Sequence, residues 1–141
     1  MRDDEIFDLE ALGVSEARGV YGAEPLPLKV RTREFALRVI RLFAALPKSS
    51  EAQIIGKQLL RSATSVGAHY REAVRARSSA EIVAKLGGGL QELEETQYWL
   101  ELLVGAEIMP EERLKPLIQE SDELIAILTT CTKRIKERRI P

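Results

Sequence analysis

Residues 61–77 read RSATSVGAHYREAVRAR, and a helix through them carries three kinds of side chain on three sides. At about 100° per residue, Ile55, Leu59, Val66 and Tyr70 share one direction, while Lys57, Arg61, Arg71 and Arg75 fall within roughly 40° of the opposite one. One side is core and the other is cationic, with Arg77 adding a further positive charge just beyond it. Between them runs a third line, Gln58, Ser62, Ser65, His69, Glu72 and Ala76, spaced 4, 3, 4, 3 and 4, the rhythm of a helix–helix seam. Small polar side chains are costly in a core unless each finds a hydrogen bond. The line therefore predicts a polar contact between helices, within one subunit or between two.

On both sides of this stretch helical periodicity continues, and punctuation divides the chain from Leu28 onward into four segments. The first spans about 29–46, with Val30, Phe35, Ala36, Val39, Ile40 and Phe43 as its apolar stripe, and Pro47 ends it. The second opens at the Ser49 and Ser50 caps and runs to about residue 76, with Ile54 beside the core residues already named. Ser78 or Ser79 opens the third, which carries Ile82, Val83, Leu86, Leu90, Leu93, Leu100 and Val104 to about residue 106. Met109 and Pro110 mark the next turn. The fourth segment is acidic at Glu111 and Glu112 and basic from Lys133 to Arg139, which suits the helix dipole at both ends. Its core line is Leu117, Leu124, Leu128, Cys131 and Ile135, and Pro116 predicts an irregular start or a kink. Long segments with short joints predict an all-α, up-and-down antiparallel four-helix bundle.

At 141 residues the chain fits one domain with a single core. Its one cysteine, Cys131, permits no internal disulfide, which favours a cytoplasmic setting. No apolar run approaches the ~18 residues of a membrane span, and the start, MRDDEIFDLE, is acidic where a signal peptide is basic. The formal net charge of −1 conceals an asymmetry: residues 1–27 carry a net −5 and residues 28–141 a net +4. Residues 1–27 read as an acidic, partly ordered arm and residues 28–141 as the bundle domain.

Three glycines, Gly87, Gly88 and Gly89, interrupt an otherwise strong helix and together forfeit roughly 3 kcal/mol of helix propensity. Close approach to a neighbouring helix would compensate, with Gly56, Ala63, Gly67 and Ala73 of the second segment as the matching small surface. Glu92, Glu94 and Glu95 read as ion-pair partners for the second segment's arginines rather than as metal ligands, because a di-metal bundle wants Glu-x-x-His pairs and His69 precedes Glu72 in the reverse order. No phosphate-loop spacing, catalytic triad, cofactor motif or metal set is present, so neither an enzyme nor a small-molecule substrate is expected.

The run QLLRSATSVGAHYREAVRARSSAEIVAKL, followed by ELEETQYWLELL, resembles the proteins encoded in intervening sequences of bacterial 23S ribosomal RNA genes, relatives of the accessory proteins of diversity-generating retroelements. The resemblance runs from about residue 35 to 134. It rests on Arg61, Ser62, Thr64, Ser65, Gly67, Ala68, His69, Glu72 and Ala73, and on Glu95, Thr96, Tyr98, Trp99 and Leu100. His69 stands where the family usually has asparagine, and the basic excess is muted. The resemblance implies four-helix protomers assembled into a homopentameric barrel, with RNA or DNA, and a reverse transcriptase or other protein, as partners. On these grounds Lys57, Arg61, Arg71, Arg75 and Arg77 are the expected nucleic-acid contacts, and Gln58, Ser62, Ser65, His69 and Glu72 the expected subunit or helix contact. The alternative is a protein–protein scaffold that binds no nucleic acid.

Overall fold

The computed structural model describes residues 9–10 and 26–138. Of the expected N-terminal arm only Leu9, Glu10, Leu26 and Pro27 fall within the described residues. Four helices follow one another: α1 (Leu28–Ala45), α2 (Ser50–Val74), α3 (Ser79–Gly105) and α4 (Glu111–Arg138). No strand occurs among the described residues.

Local chemistry accounts for the boundaries. Ser49 caps α2, its hydroxyl accepting from the Ala52 amide at 3.4 Å, and Ser78 caps α3 by accepting from the Glu81 amide at 3.1 Å. Glu81 reaches back in turn to accept from the Arg77 amide at 3.1 Å, so two amides that the helix leaves unpaired are satisfied together. At the end of α3, Glu107 adopts φ 59°, and the amides of Ile108 and Glu107 donate back to the carbonyls of Leu103 and Val104. This is the left-handed closure that usually takes glycine. Helix α4 runs on through Pro116, whose face is exposed, so solvent reaches the carbonyl that loses its partner.

Sequential helices pack antiparallel. Gly56 lies under Phe43 and Leu46, and Gly67 under Thr32, which sets the direction of α2 against α1. Ser62 meets Thr96 and Glu72 meets Lys85 between α2 and α3, while Gln97 meets Ser121 between α3 and α4. The ring of helices closes between α1 and α4, where the Arg31 guanidinium donates to both oxygens of Glu120 at 2.9 and 2.8 Å and to Glu123 at 2.8 Å. All three side chains are largely buried, and the hydrogen bond to Glu120 is the main cause that raises the Arg31 pKa above its ordinary value. Fork geometry of this kind fixes orientation as well as charge.

The core departs from the simple stripes at three positions. Val30, Ile40 and Ile54 are 39%, 45% and 66% exposed. The buried line of α1 is Leu28, Thr32, Phe35, Val39 and Leu42, and residues two places from its members point about 200° away. Ile54 and Ile55 are neighbours and cannot both face inward; Ile55 is the one packed against the core. Thr32 is buried without cost because its hydroxyl donates to the Leu28 carbonyl at 2.8 Å.

The small residues also divide differently from the expected matched surface, since Gly56 and Gly67 face α1 rather than α3. Within the glycine triplet only Gly88 is sterically required: a Cβ there would lie 2.7 Å from Cε1 of His69. At Gly89 the same atom would make ordinary contact, 3.6 Å from the His69 Cβ, and at Gly87 it would meet nothing. Gly87→Ala is therefore expected to raise stability by about 1 kcal/mol through helix propensity. Gly88→Ala should lower it by about 1–2 kcal/mol through crowding, and the double variant Gly88→Ala with His69→Ala should recover part of that loss. Urea unfolding of the three variants measures all of this.

Candidate nucleic-acid interface

The long helix α2 presents two working surfaces. Its inner lateral line, the polar seam, faces α3 of the same chain. Ser62 is fully buried, and its single hydroxyl proton has two acceptors within reach, the Thr96 hydroxyl at 2.8 Å and the Leu59 carbonyl at 3.2 Å. Thr96 donates to the Glu92 carbonyl at 2.7 Å. His69 lies over the bare backbone of Gly88, with its Nδ1 buried and unpartnered. Glu72 accepts from Lys85 at 2.8 Å, and that hydrogen bond lowers the Glu72 pKa. Ser65 turns back to its own helix, donating to the Arg61 carbonyl, and Gln58 is exposed. The structure thus brings Ser62, His69 and Glu72 together against α3 and leaves Gln58 and Ser65 beside that contact.

The outer surface carries the cations, and they are not equivalent. Lys57, Arg61, Arg71, Arg75 and Arg77 are all exposed. Arg61 is already engaged: its Nη1 and Nη2 donate to Glu92 at 3.2 and 3.4 Å, and Nη2 donates to Glu95 at 2.7 Å. Glu95 in turn accepts from the Trp99 indole at 3.2 Å. The hydrogen bond from Arg61 holds the Glu95 carboxyl below its usual pKa, with the Trp99 hydrogen bond adding to the effect. Two carboxylates around one guanidinium leave that locus net negative, so it offers little to a phosphate. No carboxylate among the described residues pairs with the side chains of Lys57, Arg71, Arg75 or Arg77.

Antiparallel packing then gathers further cations at the end of the bundle where α2 terminates. Lys29, at the start of α1, shares a small pocket with Tyr70, Arg71, Val74 and Arg75. At that same end Lys133 and Lys136 of α4 line a groove of about 450 Å³ with Leu90 of α3. The opposite half carries another groove of about 420 Å³, lined by Glu101, Glu111 and Asp122, which repels phosphate. Charge is therefore polarised along the bundle axis. Sequence reading missed Lys29 as a neighbour of Arg71 and Arg75, and Lys133 and Lys136 as cations at the same end of the bundle. The signal that could have found them is topological, since the second and fourth helices of an up-and-down bundle end on the same side. Among the described residues base stacking has no platform beside the arginines: Tyr70 is 2% exposed, and the exposed Tyr98 stacks edge-on with Trp99 in the other half of α3.

The described residues thus define a small all-α protein, a four-helix bundle with a polar internal seam and an exposed cationic line. The chain belongs to the 23S rRNA-intervening sequence protein family, whose profile matches residues 25–130. Among solved structures it is similar to a protein of unknown function from the S23 ribosomal protein family of Bacteroides thetaiotaomicron. The two are 38% identical with a TM-score of 0.71, over 74% of this chain and 94% of the other. Curated proteins include no match. No described helix is long and apolar enough to cross a membrane.

Two outcomes test the seam. Ser62→Ala, which removes the hydrogen bond across the seam while Thr96 keeps the Glu92 carbonyl, should cost about 1 kcal/mol in urea unfolding. Because the Glu95 pKa is depressed in the folded state, its contribution is fully present above the unfolded glutamate value near pH 4.3 and is lost as pH falls through the lower folded value. The destabilisation caused by Arg61→Ala at pH 7 should accordingly shrink when the same unfolding is measured at pH 3.

Proposed function

We propose that this chain is a non-enzymatic, self-associating protein that binds RNA or DNA through the phosphate backbone. The observation that carries this reading is the pair Arg71 and Arg75, one helical turn apart on the exposed face of α2. Neither pairs with a carboxylate among the described residues, and Lys29 stands beside them. One turn is about 5.4 Å, close to the spacing of successive phosphates on an extended strand. Without an exposed aromatic beside them, contact is to the backbone and sequence readout is weak. The family's association with intervening sequences of ribosomal RNA genes is consistent with a nucleic-acid partner.

Self-association is supported by α3. Its solvent side carries Ala80, Ala84, Gly87, Gln91 and the half-exposed Tyr98, with Glu94 as the charge between the last two, although its opposite side already supplies core residues. A helix that is apolar or neutral on both sides is suited to being covered on both. A homopentamer, the assembly that the family resemblance implies, would repeat Arg71 and Arg75 around a ring and make a weak site multivalent. A reverse transcriptase or another protein is an alternative occupant of this mostly neutral face, and a scaffold without nucleic-acid binding is the competing reading.

Light scattering and fluorescence anisotropy test both parts. The expected mass is near five protomers, falling on Tyr98→Glu. Mixed-sequence RNA and DNA should bind at low salt, with affinity dropping steeply as salt rises because counterions are released. Arg71→Ala with Arg75→Ala should reduce the salt slope by about one for each phosphate that is no longer neutralised, whereas Arg61→Ala should leave it nearly unchanged. Absence of binding at low salt would leave the scaffold reading.

A further inference from the structure

We infer that the pocket between the start of α1 and the end of α2 is a phosphate-binding site that the chain's own Glu10 borders, without an ion pair to its cations, as a built-in competitor. The inference rests on the reading of Arg71 and Arg75 as phosphate-facing, and it adds an occupant and a mode of regulation to them.

The pocket is small, about 60 Å³, and is lined by Lys29, Tyr70, Arg71, Val74 and Arg75 together with Glu10. Three cationic residues and one carboxylate thus meet at one place. Leu9, the preceding residue, is only 5% exposed and belongs to the main apolar cluster, so the dipeptide is anchored by burial rather than by charge. The carboxylate it delivers is poorly served. The Lys29 amide donates to Glu10 Oε2 at 3.5 Å, the outer limit of a hydrogen bond, and Oε1 is buried with no partner. Pro27 caps α1 without a side-chain hydrogen bond, so no other side chain competes for the Lys29 amide.

An oxygen buried this way has lost its water without gaining a donor. A phosphate offers more acceptor oxygens in a tetrahedral array, and guanidinium forks such as those of Arg71 and Arg75 match it well. Glu10 therefore holds the pocket by being tethered at high effective concentration, not by being the better ligand. A polyphosphate that displaces Glu10 gains the two arginines and the Lys29 amide at once, so the latch sets a threshold on binding rather than forbidding it.

The test compares the full-length chain with Glu10→Gln, which preserves the shape and removes the charge. The amide of Lys29 and the guanidinium Nε–H groups of Arg71 and Arg75 are followed by NMR during titration with inorganic phosphate. A mixed-sequence RNA 20-mer is titrated in parallel by anisotropy. The variant is expected to shift these signals before any ligand is added and to bind phosphate about tenfold more tightly, the gain for a latch closed about nine-tenths of the time. RNA affinity should rise with it. Unchanged signals and unchanged phosphate affinity would overturn the inference. Tighter phosphate binding with no RNA binding by either protein would support the latch while removing the nucleic-acid reading. Equal RNA binding by both proteins, abolished by Arg71→Ala with Arg75→Ala, would keep the nucleic-acid reading and remove the latch.

Discussion

The contact between α2 and α3 is the constraint on which the rest of the molecule depends. Ser62 and Thr96 share a hydrogen bond at its buried centre, His69 sits over Gly88 along it, and Arg61 binds Glu92 and Glu95 at its rim. Each element requires the others' register. A shift of one residue would break the hydroxyl–hydroxyl contact and move His69 off the one glycine that makes room for it, so the seam specifies one alignment where a leucine seam would tolerate several. The cost of the glycine at 88 is the cost of that alignment.

The same seam decides which charges are available. Arg61 belongs to the cationic line by its position on the helix, yet its guanidinium is held by α3. The residues that carry the family resemblance, Arg61, Ser62, Glu95, Thr96 and Trp99, form one connected network here. Their first role in this chain is to hold two helices together. The cations that meet no carboxylate among the described residues lie past the seam, where α2 ends and Arg71 and Arg75 line a pocket with Lys29. Paired and unpaired cations are thus separated along a single helix by whether α3 supplies carboxylates opposite them.

Axial polarity follows from the antiparallel order. Carboxylates collect where α3 ends and α4 begins, and ammonium and guanidinium groups where α2 and α4 end, so helix dipoles and side-chain charges agree at most termini. A polyanion approaching this bundle is drawn to one end and repelled from the other. That end is also where Leu9 and Glu10 dock, which places the one acidic residue described in the N-terminal segment against the least neutralised part of the domain.

Sequence by itself determined the number and extent of the helices, because apolar periodicity, serine caps and prolines are local signals that survive without knowledge of neighbours. It also marked the line through Ser62, His69 and Glu72 as a helix contact, since small polar groups at heptad spacing suit neither solvent nor a dry core. The tertiary structure decided which helix that line meets, and that only Gly88 of three glycines is needed there. It likewise decided that Arg61 is paired while Arg71 and Arg75 are not, and that Lys29, Lys133 and Lys136 share their end of the bundle. Those facts depend on what lies across a gap of a few ångströms between segments distant in the chain, and a helical wheel gives the direction of a side chain but not its partner.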